Sequence, residues 1–312
     1  MTLYQVQLLW HHVAPRRPAH QLDPSDPAYR WPANIDHAIR ESRRNGMGVL
    51  IMIVGAPRWS NGGRSWTHAP RPRDFARFAR AASRRYRAVR HWMIWGEPSN
   101  RRNFKPFRRQ PLGTRLTAAQ AATPRRYARL LDAAYAQLKA RSRSNVVIGG
   151  NTYTTGDIRP RDWVRGMRLR DGRPPRMDEY GHNPFSLREP DLDNPPSRNG
   201  VIDFSDLRRL DRLVQRRLGR PRHRRIKLFL SEYTIPTDGP DLEFNYFVPR
   251  TTQAKWIRSA FRVARGLPSV SGLGWIHLYD DPPDPAGRPV RRGGLLTHDG
   301  VKKPGYAAFA QG

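Results

Sequence analysis

The feature that most constrains this chain is an alternation, sustained from end to end, between short apolar or β-branched runs and longer amphipathic runs. Strand-like runs fall at residues 3–10, 49–55, 91–95, 145–151, 177–182, 226–232 and 272–279. Between them apolar residues recur with helical spacing: Ile35, Ala38 and Ile39 within 34–44, then Phe75, Phe78, Ala79 and Ala82. Tyr127, Leu131, Ala134 and Leu138 follow, in a helix predicted to open with Pro124 in its first turn. Leu207, Leu210, Val214 and Leu218 form a stripe predicted to start at a Ser205 cap and stop at Gly219. Further helices are expected at 252–265 and 305–309, and 157–175 and 188–198 read as long loops. Strands apolar on both faces, each followed by an amphipathic helix, imply a parallel sheet covered by helices. No repeat, low-complexity tract or linker divides the chain, so a single domain over 1–312 is expected. The length suits an α/β barrel of about 250 residues with long loops. The strand count fits less well, because seven candidates stand where a closed barrel has eight, and the chain begins on one of them.

Composition removes several chemistries. Cysteine is absent, which excludes disulfides, thiol nucleophiles and cysteine-based zinc sites. His11 and His12 have no metal-ligand spacing around them, and no metal or organic cofactor is expected. No run approaches the roughly 18 apolar residues of a membrane span, and the opening MTLYQVQLLWHH lacks the basic flank of a signal peptide. The net charge of +31 comes almost wholly from arginine, only six of the 57 basic residues being lysine. These arginines are spread over every predicted helix rather than gathered in a tail, so they read first as solvated helix faces. A specific nucleic-acid partner is not expected, although salt-sensitive attraction to polyanions is.

Two segments carry the chemistry. In HWMIWGEPSN, Glu97 lies just past an apolar strand, and in IKLFLSEYT, Glu232 ends one. Strand alternation predicts that Met93, Trp95 and Glu97 share the axis-facing side, as do Leu228, Leu230 and Glu232. A carboxylate at the carboxyl end of a buried parallel strand is costly unless it is solvated, paired or used, and barrel enzymes place their reacting groups there. A structural ion pair accounts for one such glutamate; two of them, each in aromatic surroundings, point to a working pair. Two carboxylates across a sugar are what glycosidic cleavage needs.

On the segments LLWHHVAP, DPSDPAYRW, VGAPRWSNGG, RDFARFARAASRRY, HWMIWGEPSN, DEYGHNPFS, LFLSEYT, GWIHLYDDP and GLLTHDGVKKPGYAAF, the chain resembles the clan A retaining glycoside hydrolases. The likeness is closest to their actinobacterial cellulase-like and xylosidase-like branch. It implies a (β/α)8 TIM barrel, a carbohydrate substrate, Glu97 as general acid/base and Glu232 as nucleophile. It further implies Trp275 as a sugar platform, Trp59 along the cleft and His182 at the reaction subsite. Plain readings stand beside these: the tryptophans as core residues, His182 as a partner of loop backbone. The resemblance also accounts for the strand count. It equates 3–10 with the family's second strand, so the first strand and helix are missing here and the barrel is N-terminally incomplete. An export signal ahead of Met1 would make the protein extracellular. Two departures bear on activity. Gly96 stands where the family has an asparagine that holds the sugar 2-hydroxyl, and Gln5 stands where it has an arginine near the nucleophile. Two readings follow, a retaining glycosidase and a catalytically weak carbohydrate-binding barrel descended from one. Sugar identity, linkage and oligomeric state are left open.

Overall fold

A computed structural model describes residues 2–220 and 224–312. Seven strands form one all-parallel sheet in sequential order: β1 (Leu3–Leu9), β2 (Gly48–Val54), β3 (His91–Ile94), β4 (Val146–Tyr153), β5 (Glu179–Asn183), β6 (Lys227–Tyr233) and β7 (Val270–Trp275). The helices are α1 (Trp10–Val13), α2 (Ala33–Arg44), α3 (Pro72–Arg85), α4 (Ala118–Arg141), α5 (Pro160–Gly166), α6 (Leu207–Leu218), α7 (Arg250–Arg265) and α8 (Pro304–Ala310). The α/β alternation read from sequence is the architecture observed.

The unbroken apolar character of β2 and β3 is explained by two separate cores. Leu50, Met52, Val54, Met93, Ile148 and Phe229 pack on the concave side, with Leu3 and Leu9 against them. One cluster holding side chains of both β1 and β6 requires the sheet to curl most of the way round. On the convex side the strands meet the helices; there Trp10 stacks on Phe78 at 5.2 Å and meets Phe75 edge-on at 5.7 Å.

Several boundaries differ from the expectations. α4 begins at Ala118, six residues before Pro124, because Thr117 and Gln120 form a reciprocal cap. Pro124 therefore lies inside the helix, against Gly166 of α5, where any side chain at 166 would collide with its ring. α5 occupies part of the expected loop at 157–175. Asp203, not Ser205, caps the turn leading into α6, accepting a hydrogen bond from the Ser205 backbone N–H at 2.9 Å. β7 stops at Trp275, so 276–279 belong to the following loop.

The loops at the carboxyl ends of β6 and β7 are tied to the C-terminal segment by one buried cation. Lys303 is fully enclosed, with Nζ 2.7 Å from Asp280 and 3.5 Å from Asp238, and it donates to Thr237 Oγ1 at 2.8 Å.

Candidate active site

The expected face-sharing along β3 and β6 does not survive at the strand ends. Trp95 leaves the strand in a left-handed conformation (φ 67°), and Glu97 is left-handed too (φ 39°). Trp95 consequently turns outward, packs on Phe75 and Phe104, and donates its indole N–H to Asn103 O at 2.8 Å. Of the predicted trio, Met93 faces the inner core and Glu97 reaches the interior, while Trp95 does not. Two non-glycine residues in this region store strain of the kind found at functional sites.

In β6, Leu228 and Leu230 face the helices, whereas Phe229 faces the axis. Strict alternation would then send Ser231 inward and Glu232 outward. A register shift between Leu230 and Tyr233 breaks the alternation, so that Ser231 and Glu232 both reach the interior while Tyr233 returns to the outer core. Glu232 thus arrives at the axis by a bulge.

The residue that joins the two glutamates was not singled out from sequence. Asn183, the last residue of β5, is fully buried. Its Nδ2 donates to Glu97 Oε1 at 2.9 Å and to Glu232 Oε2 at 3.0 Å. Its Oδ1 accepts from Ser231 Oγ at 2.7 Å. Two acceptors on the two hydrogens of one NH2 group lie about 5 Å apart.

Asn151 completes the floor. It lies beyond Gly150, whose φ of 83° and approach to the Tyr180 ring leave no room for a side chain, and it is itself left-handed (φ 43°). Asn151 Nδ2 donates to Trp95 O at 3.3 Å, and its Oδ1 lies 3.0 Å from Ser231 Oγ. The only advance signal for either asparagine was its place at a strand's carboxyl end, in NVVIGGN and EYGHN.

Both carboxyl groups are pushed above the usual glutamate range. Burial raises Glu97 to about 7, against the hydrogen bond from Asn183, with Glu243 adding a smaller upward push. Burial, then the neighbouring Glu97, then Glu243 raise Glu232 to about 8, and the Gln5 side chain works the other way. Like charges this close cannot both ionise readily, so the pair holds one proton through the neutral range. Among the described residues no lysine or arginine is ion-paired with either glutamate.

The remaining predicted site residues are His182, Trp275 and Trp59. His182 sits on the opposite face of β5 from Asn183, its ring wholly buried; its two nitrogens meet Thr152 Oγ1 at 2.9 Å and Ile202 O at 3.1 Å. Burial lowers its pKa to about 4, leaving a neutral ring that knits β4, β5 and the following loop. It makes no hydrogen bond to either glutamate. Trp275 is half-buried, edge-on to Tyr233 at 5.7 Å, with its N–H donated to Gly293 O at 3.1 Å. Trp59 is also half-buried, donating to Ala14 O at 2.8 Å beside Trp10. Gly96 has a backbone any residue can adopt, and a Cβ there would meet Met52 Sδ at 3.3 Å and Val54 Cγ1 at 3.4 Å. No group of three or more histidine, aspartate or glutamate side chains with metal-binding geometry occurs among the described residues.

The arrangement is an acid–carboxylate pair about 5 Å apart, able to protonate a leaving oxygen on one side and attack carbon on the other. The chain is similar to a family 39 glycoside hydrolase from the gut symbiont Bacteroides cellulosilyticus WH2, with a TM-score of 0.68 and 18% identity over 99% of this chain and 57% of that one. A glucosidase from Croceicoccus marinus gives 0.65 and 16% over 99% and 60%. A monomeric beta-xylosidase from Caulobacter crescentus CB15 gives 0.61 and 16% over 99% and 66%. At these identities the likeness shows the fold alone, a curled parallel sheet of the barrel type, and this chain spans less than two thirds of each neighbour's length. No protein-family model matches the chain, and no curated protein does.

Proposed function

We propose that this protein is a retaining glycosidase acting on a poly- or oligosaccharide, with Glu97 as general acid/base and Glu232 as nucleophile. The observation that carries the reading is the single Asn183 amide bonded to both carboxylates. One amide bonded to both favours the covalent route, with carboxyl groups roughly 5–5.5 Å apart, over the wider gap that leaves room for a water. The one retained proton is the complement that this chemistry requires. Glu97 gives it to the departing glycosidic oxygen as ionised Glu232 bonds to the anomeric carbon. Glu97, now a base, then takes a proton from water, which attacks that carbon and releases Glu232. Trp275 at the end of β7 and Trp59 in the loop after β2 stand as candidate sugar contacts, and His182 braces β4 and β5 beside Asn183.

A second reading, a carbohydrate-binding barrel with weak turnover, is favoured by one specific feature. Among the described residues no cation is paired with Glu232, and burial and Glu97 raise its pKa, which works against the ionised form that attack needs.

Hydrolysis of an activated aryl glycoside decides between these readings. Glu232→Ala should abolish release of the phenol, and unchanged turnover in that variant overturns the assignment. Oligosaccharide binding without hydrolysis over days by the parent protein would establish the second reading instead.

A further inference from the structure

Among the described residues, the arginine excess is gathered without an acid at the carboxyl ends of two neighbouring helices. At the carboxyl ends of α3 and α4, Arg80, Arg84, Arg87 and Arg141 line a depression of about 430 Å3 together with Ala140. Arg80 and Arg84 lie one turn apart on the same face of α3, and Arg87 reaches the same depression from the turn that follows the helix. A second arginine-lined depression, of about 520 Å3, offers a contrast. There Asp162 stands among Arg115, Arg125, Arg161 and Arg165, and pairs with Arg161 at 3.1 Å and Arg165 at 3.5 Å. The first depression has no carboxylate in its wall, and among the described residues none of its four arginines makes an ion pair.

Neutral acceptors use only part of their hydrogen-bonding capacity. Arg80 Nη1 donates to Gln137 Oε1 at 3.1 Å and Arg84 Nη1 to Leu22 O at 2.8 Å, while Arg80 Nε is buried with no partner. Arg84 also lies within electrostatic reach of the exposed Asp23, whose carboxylate is engaged mainly by Ser25. The carbonyl ends of the two helices favour nearby cations. They do not account for four forked donors facing one space with a buried N–H left over.

We propose that this depression binds a compact oligoanion bearing phosphate or sulfate groups. Planar guanidinium forks match such oxygens two at a time, and several forks on one cleft select for multiple charges held close together. In a parallel α/β fold the helices run back against the strands, so helix carboxyl ends lie at the opposite end of the barrel from Glu97 and Glu232. The site is therefore separate from the carboxylate pair, and it stands or falls independently of the glycosidase reading.

Isothermal titration of the full chain with inorganic triphosphate, and separately with a sulfated disaccharide, at about physiological ionic strength tests this. One saturable equivalent is expected for at least one probe, and the tighter probe tells whether phosphate or sulfate is preferred. Arg80→Gln with Arg141→Gln should weaken binding at least about tenfold, and so should the exposed pair Arg84→Gln with Arg87→Gln. The α6 pair Arg216→Gln with Arg217→Gln, which removes the same charge elsewhere, should leave it unchanged. Binding that does not saturate at one equivalent, or equal weakening by all three pairs, would overturn the proposal in favour of diffuse attraction to net charge.

Discussion

Replacing Glu232 with glutamine tests the electrostatics of the site without needing a substrate. In the unfolded chain this carboxyl ionises near its ordinary 4.5, whereas in the folded protein it ionises near 8. Between those values the folded state binds more protons than the unfolded state, so stability must fall as pH rises. The contribution is fully present below pH 4.5 and is lost on passing through about 8. Each tenfold change in an ionisation constant is worth about 1.4 kcal/mol, so raising the pH from about 5 to about 8.5 should cost about 4 kcal/mol from this group at face value. Glu232 keeps partial contact with solvent, and that screening reduces the expected loss to about 2 kcal/mol. A glutamine fills the same space and keeps an acceptor for Asn183 Nδ2, but carries no charge to desolvate. The assay is thermal unfolding followed by circular dichroism at both pH values. At pH 5 the variant and parent should melt within about a degree of each other, and at pH 8.5 the variant should melt several degrees higher. Groups that titrate equally in both proteins, including the buried His182, cancel in the difference. Parallel melting curves at both pH values would refute the claim that burial and Glu97 hold this carboxyl high.

Two more outcomes follow from the geometry. Gly96→Asn should fold with a loss of no more than about 1 kcal/mol, because Met52 and Val54 need to give only a few tenths of an ångström. If its amide restores the contact to the sugar 2-hydroxyl, hydrolysis of ordinary aryl glycosides should rise over the parent, and unchanged rates would count against that role. Lys303→Met leaves Asp280 and Asp238 facing each other without their shared cation and should cost about 3–5 kcal/mol in urea unfolding; a loss under about 1 kcal/mol would show that the enclosed ammonium is not what ties these loops together.

The sequence by itself determined the layers of this protein and the residues of its central pair. Periodicity is local: a run apolar on both faces must be a covered strand, a stripe every three or four residues must be a helix on it, and neither depends on distant partners. That is why VLIMIVG and IKLFLSE could be read directly, and why a glutamate at each of two strand ends stood out. Cap geometry was less legible, since the reciprocal bonds of Thr117 and Gln120 outweigh the usual preference of Pro124 for a first turn. What only the tertiary structure decided is where side chains point once a strand ends. Alternation gave Trp95 and Leu230 the wrong face, because left-handed turns after β3 and a bulge in β6 reset the direction just before each glutamate. The same one-residue parity separates His182, turned into the outer core, from Asn183, turned onto both carboxylates. Register shifts and positive φ angles are stabilised by contacts between strands far apart in the chain, so no local pattern records them. The glutamates were written in the sequence; the amide that sets their spacing was placed by the fold.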